Sequence, residues 1–196
     1  KNQGFECDVP LPTRRFPLAI VCCTRSKQQT ADLIAQAAAQ ADVVVVDGQK
    51  DDGIGSHYKN LRKLTDVQGT ITKGHGRLFW FAGTDLPSLR GVDQNFDGFV
   101  TKSGVFSVGA VDQASALLAD ALPEHLSGEV ADLGAGWGYL SSRILSREAV
   151  TKLDIVEADF FSLDCAKQNV LDPRAAFHWA DATVWNGSYD AVVMNP

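Results

Sequence analysis

The stretch VADLGAGWGYLS, Val130 to Ser141, gathers the residue types best suited to holding a ligand. A short apolar run delivers Asp132, and Gly134, Gly136 and Gly138 follow at alternate positions before a helical pattern begins. Glycine adopts φ > 0 freely and carries no Cβ, so a ligand can lie against bare main chain along Gly134, Ala135 and Gly136. The spacing is G-x-G-x-G, not the G-x-G-x-x-G that seats a pyrophosphate on a helix N-terminus. An aspartate directly before the turn repels phosphate and suits a ligand bearing an ammonium group. Two further acids close the next two strand-like segments. Glu157, in LDIVEAD, ends the next strand, where a carboxylate can accept both hydroxyl protons of a ribose. Asp181, followed by Ala182, stands in WADAT directly after AAFHWA, where it can accept a proton from an adenine amino group. Each acid alone could cap a helix; three at successive strand ends after alternating glycines point to a nucleoside-bearing ligand.

A second candidate site is YDAVVMNP, Tyr189 to Pro196. A strand that ends on Asn195 and Pro196 presents a side-chain amide oxygen next to main-chain carbonyls held rigid by proline. Together these can accept the two N–H bonds of a planar exocyclic amine and draw out its delocalised lone pair. Asn-Pro also starts ordinary turns. The glycines and acids upstream are what make Asn195 and Pro196 candidate catalytic residues.

These residues need strand ends to stand on, and the chain supplies them. LAIVCC (Leu18 to Cys23) and DVVVVDG (Asp42 to Gly48) read as buried strands around the Ala-rich helical stretch Ser26 to Gln40. A helix over Ser56 to Leu64 and the strand RLFWF (Arg77 to Phe81) complete a first module. Strands at Glu129 to Leu133, Leu153 to Asp159, Ala175 to Ala180 and Asp190 to Asn195 alternate with helices over Trp137 to Arg147 and Phe161 to Val170. A further helix covers Val111 to Leu122. The expectation is an α/β protein of two Rossmann-like modules with mostly parallel sheets, the second truncated after its fourth strand. The domains fall at 1–84 and 107–196, joined over 85–106 by a Gly-, Asp- and Asn-rich linker with room for a hairpin.

Composition narrows the function. The chain has 196 residues, 45% hydrophobic and 21% charged, enough for a packed core. No apolar run approaches the roughly 18 residues of a membrane span. The four cysteines form no C-x-x-C pair and the four histidines are scattered, so no metal is expected and the cysteines read as reduced, in a cytoplasmic protein. Net charge is −6, yet residues 1–100 hold 12 Lys+Arg against 11 Asp+Glu, and residues 101–196 hold 6 against 13. That asymmetry separates a module able to meet phosphates from an acidic one.

Asp132-Leu-Gly134-Ala-Gly136-Trp-Gly138, Glu157, Asp181 and Asn195-Pro196 resemble, in order, the motifs of class I S-adenosylmethionine-dependent methyltransferases. The last is similar to the N-P-P-[FY] signature of enzymes that methylate planar amino groups. SGVFSVGAVDQASALL (Ser103 to Leu118) and, upstream, DVVVVDGQKDDGIGSHYKNL (Asp42 to Leu61) resemble the small-subunit rRNA guanine-N2 methyltransferases. The resemblance implies S-adenosylmethionine as cofactor, small-subunit rRNA or the ribosomal subunit as partner, and a first module that is a degenerate methyltransferase copy used for RNA recognition. Asp112-Gln-Ala-Ser115 stands where that family more often has Asp-x-Gly-Ser. The family's pattern continues past Asn-Pro to an aromatic, so this chain reads as a fragment expected to be inactive by itself. A glutamine or adenine amino-group methyltransferase, a non-enzymatic RNA-binding scaffold and a nicotinamide oxidoreductase are the competing readings.

Overall fold

The computed structural model describes residues 8–9 and 13–195, which divide into two compact units, residues 1–92 and 93–196. In the first unit, β1 (Phe16–Cys22) runs into a turn closed by the Ser26 hydroxyl, which accepts from Gln29 N at 3.2 Å and caps α1 (Lys27–Gln40). β2 (Ala41–Gln49) returns parallel to β1, and Gly53 at φ 78° turns the chain into α2 (Ile54–Leu64). β3 (Val67–Lys73) and β4 (Gly76–Ala82) follow as a hairpin. The sheet order is β1-β2-β4-β3. Only β1–β2 is parallel; β2–β4 and β3–β4 are antiparallel, so the expectation of a mostly parallel sheet fails in this unit. The cause is local. Gly74 and His75, at φ 55° and 67°, make a two-residue turn, and a parallel return needs a crossover of a dozen or more residues.

β3 carried no clear sequence signal because Gly69 interrupts its apolar alternation. That glycine has a reason: a Cβ there would lie 2.1 Å from the Trp80 ring of the neighbouring strand. Val44, Val46, Phe79, Phe81, Ile34 and Leu61, at most 1% exposed, form the core between one face of this sheet and its helices.

The second unit begins with a hairpin, β5 (Gln94–Phe96) and β6 (Phe99–Thr101), inside the stretch expected as linker. Then come α3 (Gln113–Ala121), β7 (Gly128–Leu133), α4 (Tyr139–Leu145), β8 (Val150–Glu157), α5 (Phe160–Asn169), β9 (Ala175–Trp179) and β10 (Ala191–Met194). The sheet is parallel throughout, in the order β10-β7-β8-β9. The chain steps outward from β7 to β9 and then jumps back to place β10 on the other side of β7. That reversal opens a crevice at the carboxyl ends of β7 and β10, where open α/β sheets bind ligands. Among the described residues no helix is long and apolar enough to cross a membrane, and none form a group able to hold a metal ion.

The return from β9 to β10 has no helix, and side chains fasten it instead. Asp154, 4% exposed on β8, accepts from Lys152 Nζ and from the Tyr189 hydroxyl, and pairs with His178 Nε2, each at 2.9 Å. Trp185 donates to the Tyr189 oxygen at 2.9 Å and lies 4.5 Å from the His178 ring. Burial alone raises the Asp154 carboxyl, but the bonds from Lys152, His178 and Tyr189 outweigh it and hold the group below its ordinary value. A depressed carboxylate contributes stability above its unfolded pKa and loses it as pH falls through the folded one. Asp154→Ala is therefore expected to destabilise the chain at pH 7 and to do so less as pH falls through the depressed folded pKa, read by urea unfolding across that range.

Candidate functional site

The glycine turn is bent as its spacing demands. Gly134, Gly136 and Gly138 have φ of 72°, 57° and 91°, all in the left-handed region that side chains rarely adopt. A Cβ at Gly134 or Gly136 would meet nothing within 4 Å, so both face open space. At Gly138 a Cβ would stand 3.0 Å from Val170 Cγ2 and 3.3 Å from the Ala166 backbone, so this glycine lets α4 pack closely on α5. The three glycines therefore divide into two that bare the crevice wall and one that serves packing.

Glu157, at the end of β8, closes the turn from the side. Its Oε2 accepts from Gly136 N and its Oε1 from Asp159 N, both at 2.7 Å. A carboxylate has about four acceptor positions, so both oxygens keep capacity for hydroxyl donors. Glu157, Gly134, Gly136 and Asn195 line one cleft of about 490 Å³, with Phe106 at its mouth, 65% exposed. Ala135 lines the adjoining space beside Trp137 and Tyr139. Five of the residues singled out by sequence thus meet around one crevice.

Asn195 follows directly on β10, whose Met194 lies beside Leu133 at the entrance to the turn. Its Nδ2 donates to Asp112 Oδ2 at 3.0 Å and to Ser115 Oγ at 2.8 Å. Both amide hydrogens are used, which sets the flip and, among the described residues, leaves Oδ1 as an acceptor without a donor. Asp112 is also the N-cap of α3, accepting from Ser115 N at 2.9 Å; that bond first, and the one from Asn195 after it, lower its pKa. Pro196 lies outside the described residues.

The remaining sequence candidates sit elsewhere. Asp132 is fully buried beneath the turn and does not line the cleft; its Oδ2 accepts from the Ser141 hydroxyl at 2.6 Å, and its Oδ1 has no partner. Burial, and to a lesser degree the Glu157 charge, push its carboxyl up to about 6 against the Ser141 bond. Asp181 turns back on its own loop, accepting from Thr183 N at 2.8 Å and from the Thr183 hydroxyl at 2.7 Å, which lowers its pKa. Neither Asp181 nor Ala182 lines the cleft. An Asx turn of this kind is what an acid after a strand forms when the loop behind it closes locally.

The raised Asp132 carries a testable sign. A group whose folded pKa lies above its unfolded value contributes stability below the unfolded pKa and loses it as pH rises through the folded one. Asp132→Asn is thus expected to stabilise the chain at pH 8 by on the order of 2 kcal/mol and to change little at pH 4. Thermal unfolding at the two pH values checks this.

Phe106, Asn169 and Trp137 carry supports that the sequence reading did not assign. The Asn169 amide accepts from Val100 N at 2.7 Å and donates to Val100 O at 2.9 Å and Trp137 O at 2.8 Å, tying the β5–β6 hairpin to the glycine turn. Trp137 donates its indole N–H to Phe106 O at 3.0 Å, which fixes the GVFS segment over the cleft. An Asn at the end of α5, 69 positions from Val100, leaves no signal that spacing can reveal.

Residues 97–196 match the methyltransferase small domain family. The Ribosomal RNA small subunit methyltransferase C of Psychromonas ingrahamii is 28% identical over 201 residues, covering 93% of this chain and 57% of that protein. The protein of the same name from Pseudomonas aeruginosa is 26% identical over 174 residues, covering 82% and 52%. A solved T. Thermophilus 16S rRNA N2 methyltransferase, in complex with AdoMet and guanosine, superposes with a TM-score of 0.74 at 25% identity, over 93% of this chain and 56% of that one. The chain spans little more than half the length of these relatives.

Proposed function

Since the chain belongs to the methyltransferase small domain family, we propose that its second unit binds S-adenosylmethionine and transfers the methyl group to an exocyclic amine of a base in small-subunit rRNA, guanine N2 in particular. The carrying observation is Asn195 Oδ1, left as an oriented acceptor at the edge of a cleft whose other wall is bare glycine backbone. The residues present fit the cofactor. The open positions at Gly134 and Gly136 admit a ligand against the main chain, and Glu157 keeps acceptor capacity for ribose hydroxyls. The unpartnered Asp132 Oδ1 behind the turn gives the site negative character towards an ammonium group.

The cofactor supplies a methyl group already activated by its sulfonium centre. The protein's task is positioning and tuning the nucleophile. Asn195 Oδ1 accepts one N–H of the target amine and so withdraws the lone pair from conjugation; a main-chain carbonyl at Asn195 or Pro196 accepts the other. Asp112 and Ser115 hold the Asn195 amide in that orientation. Phe106, exposed at the cleft mouth, offers a face against which a flipped base can stack.

The RNA reading draws support from the charge division. Residues 1–92 hold 12 Lys+Arg against 9 Asp+Glu, and residues 93–196 hold 6 against 15. In the first unit the Arg77 and Arg62 guanidinium carbons lie 4.3 and 5.7 Å from the Tyr58 ring centre, a basic and aromatic surface suited to phosphates. We assign that unit the role of RNA contact, as a methyltransferase-like copy without a cofactor site of its own. Calorimetric titration with S-adenosylmethionine and with NAD tests the cofactor assignment: micromolar binding of the methyl donor alone is expected, and binding of NAD alone would sink it.

A further inference from the structure

Trp137 belongs to two parts of the site at once. Its backbone lies in the glycine turn, between Gly136 at φ 57° and Gly138 at φ 91°. Its side chain leaves that turn for the segment that carries Phe106. The indole is 4% exposed and packs on the β5–β6 hairpin, with ring centres 5.5 Å from Phe96 and 5.2 Å from Phe99. From there its N–H reaches the Phe106 carbonyl at 3.0 Å. A bond held in such an apolar cluster is stronger than the same bond in water.

The segment from Gly104 to Gly109 is a strap across the cleft. Val105 points inward, 6% exposed, in one apolar cluster with Trp137 and Cys165, while Phe106 stands out at the mouth. Ser107, the next residue, has φ 54°, a left-handed conformation that a side chain disfavours. Strained backbone of this kind persists only where the surroundings hold it. On the far side the Ser107 hydroxyl donates to Ala110 O at 2.9 Å, and Gly109 N donates to Thr101 Oγ1 at 3.0 Å. On the near side the indole N–H takes the Phe106 carbonyl itself.

Under the proposed function, Gly134 and Gly136 meet the cofactor and Phe106 meets the base. We infer that Trp137 is a positioning residue that couples the two ligands. A cofactor seated against the turn fixes the Trp137 backbone, the indole carries that order to Phe106, and the ring meets the base in one orientation. The ordering that accompanies the first ligand is then already complete when the second arrives. Such coupling is reciprocal, so the base tightens cofactor binding by the factor with which the cofactor tightens the base. This inference rests on the methyltransferase reading and adds a link between its two binding events.

Calorimetric titration with S-adenosylmethionine, with and without excess guanosine, tests the link in a longer polypeptide that carries this chain. In the parent, guanosine is expected to tighten the cofactor by about fivefold or more, and uridine to leave it unchanged. Trp137→Phe keeps an aromatic ring against Phe96 and Phe99 but offers Phe106 no N–H, so the ratio should fall to about one. Phe106→Ala should abolish the ratio in the same way, and it decides the matter if Trp137→Phe does not fold. Phe99→Leu loosens the packing of the same indole and leaves its N–H in place, so it should lower the melting temperature and keep the ratio. Equal cofactor affinity with and without guanosine in the parent, or an undiminished ratio in Trp137→Phe, overturns the coupling. A ratio lost as fully in Phe99→Leu overturns it too, because the indole would then be a packing element only. Failure to bind S-adenosylmethionine at all contradicts the proposed function and this inference with it. Binding without a response to guanosine removes the coupling alone.

Discussion

Asn195→Ala is expected to lower methyl transfer to small-subunit rRNA by about 10²–10³-fold, with S-adenosylmethionine affinity changed by no more than about twofold. The split follows from what the side chain touches. Among the described residues Asn195 has no side-chain bond to the glycine turn or to Glu157; its amide nitrogen is spent on Asp112 and Ser115, and the residue lines the cleft. Removing that oxygen leaves an exocyclic amine with its lone pair in the ring. Asn195→Asp gives a second reading of the same geometry. A carboxylate there meets Asp112 Oδ2 where an N–H donor stood, so the two acids repel and the oriented oxygen is lost. Single-turnover transfer of a labelled methyl group, in a longer polypeptide that carries this chain, supplies the rate, and calorimetry supplies the affinity. Equal loss of both would mean that Asn195 only holds the cleft together.

Glu157→Ala is expected to weaken S-adenosylmethionine binding by about 10²-fold or more, the largest effect of any single change on the cofactor. Two contributions combine. The carboxylate accepts from Gly136 N and Asp159 N, bonds to a charged group worth roughly 1.5–3 kcal/mol each. Its loss frees the main chain of a turn whose three glycines already give it wide conformational choice. The ribose hydroxyls lose their acceptor at the same time. Each 1.4 kcal/mol is a factor of about ten, so the two lost ribose bonds, together roughly 3 kcal/mol or more, account for the hundredfold and relaxation of the turn adds to it. Glu157→Gln retains one acceptor oxygen and should fall between the two. If Glu157→Ala binds the cofactor as tightly as the parent chain, the ribose lies elsewhere and the cofactor assignment needs a different pose.

Local chemistry accounts for what could be read in the sequence. A turn that requires three left-handed residues must spend glycines, so Gly134, Gly136 and Gly138 announce the bend wherever the rest of the chain goes. Buried parallel strands need continuous β-branched runs, so Val43 to Val46 and Ile155 to Val156 mark their own place. An acid at a strand end and an amide before a proline declare their chemistry by type. Tertiary structure alone decided which of these groups face the same space. Asp132 and Glu157 look equivalent in sequence, but one is sealed beneath the turn on Ser141 and the other reaches the cleft, because Asp132 lies opposite Ile155, two positions short of Glu157 along the neighbouring strand. Asp181 matched the pattern but lies outside the lining of the cleft, with its Oδ1 taken by Thr183 two residues on. The orientation of Asn195 depends on Asp112, 83 positions earlier, and the Asn169 brace spans 69. Spacing carries no information across such distances; only the fold brings those atoms within reach.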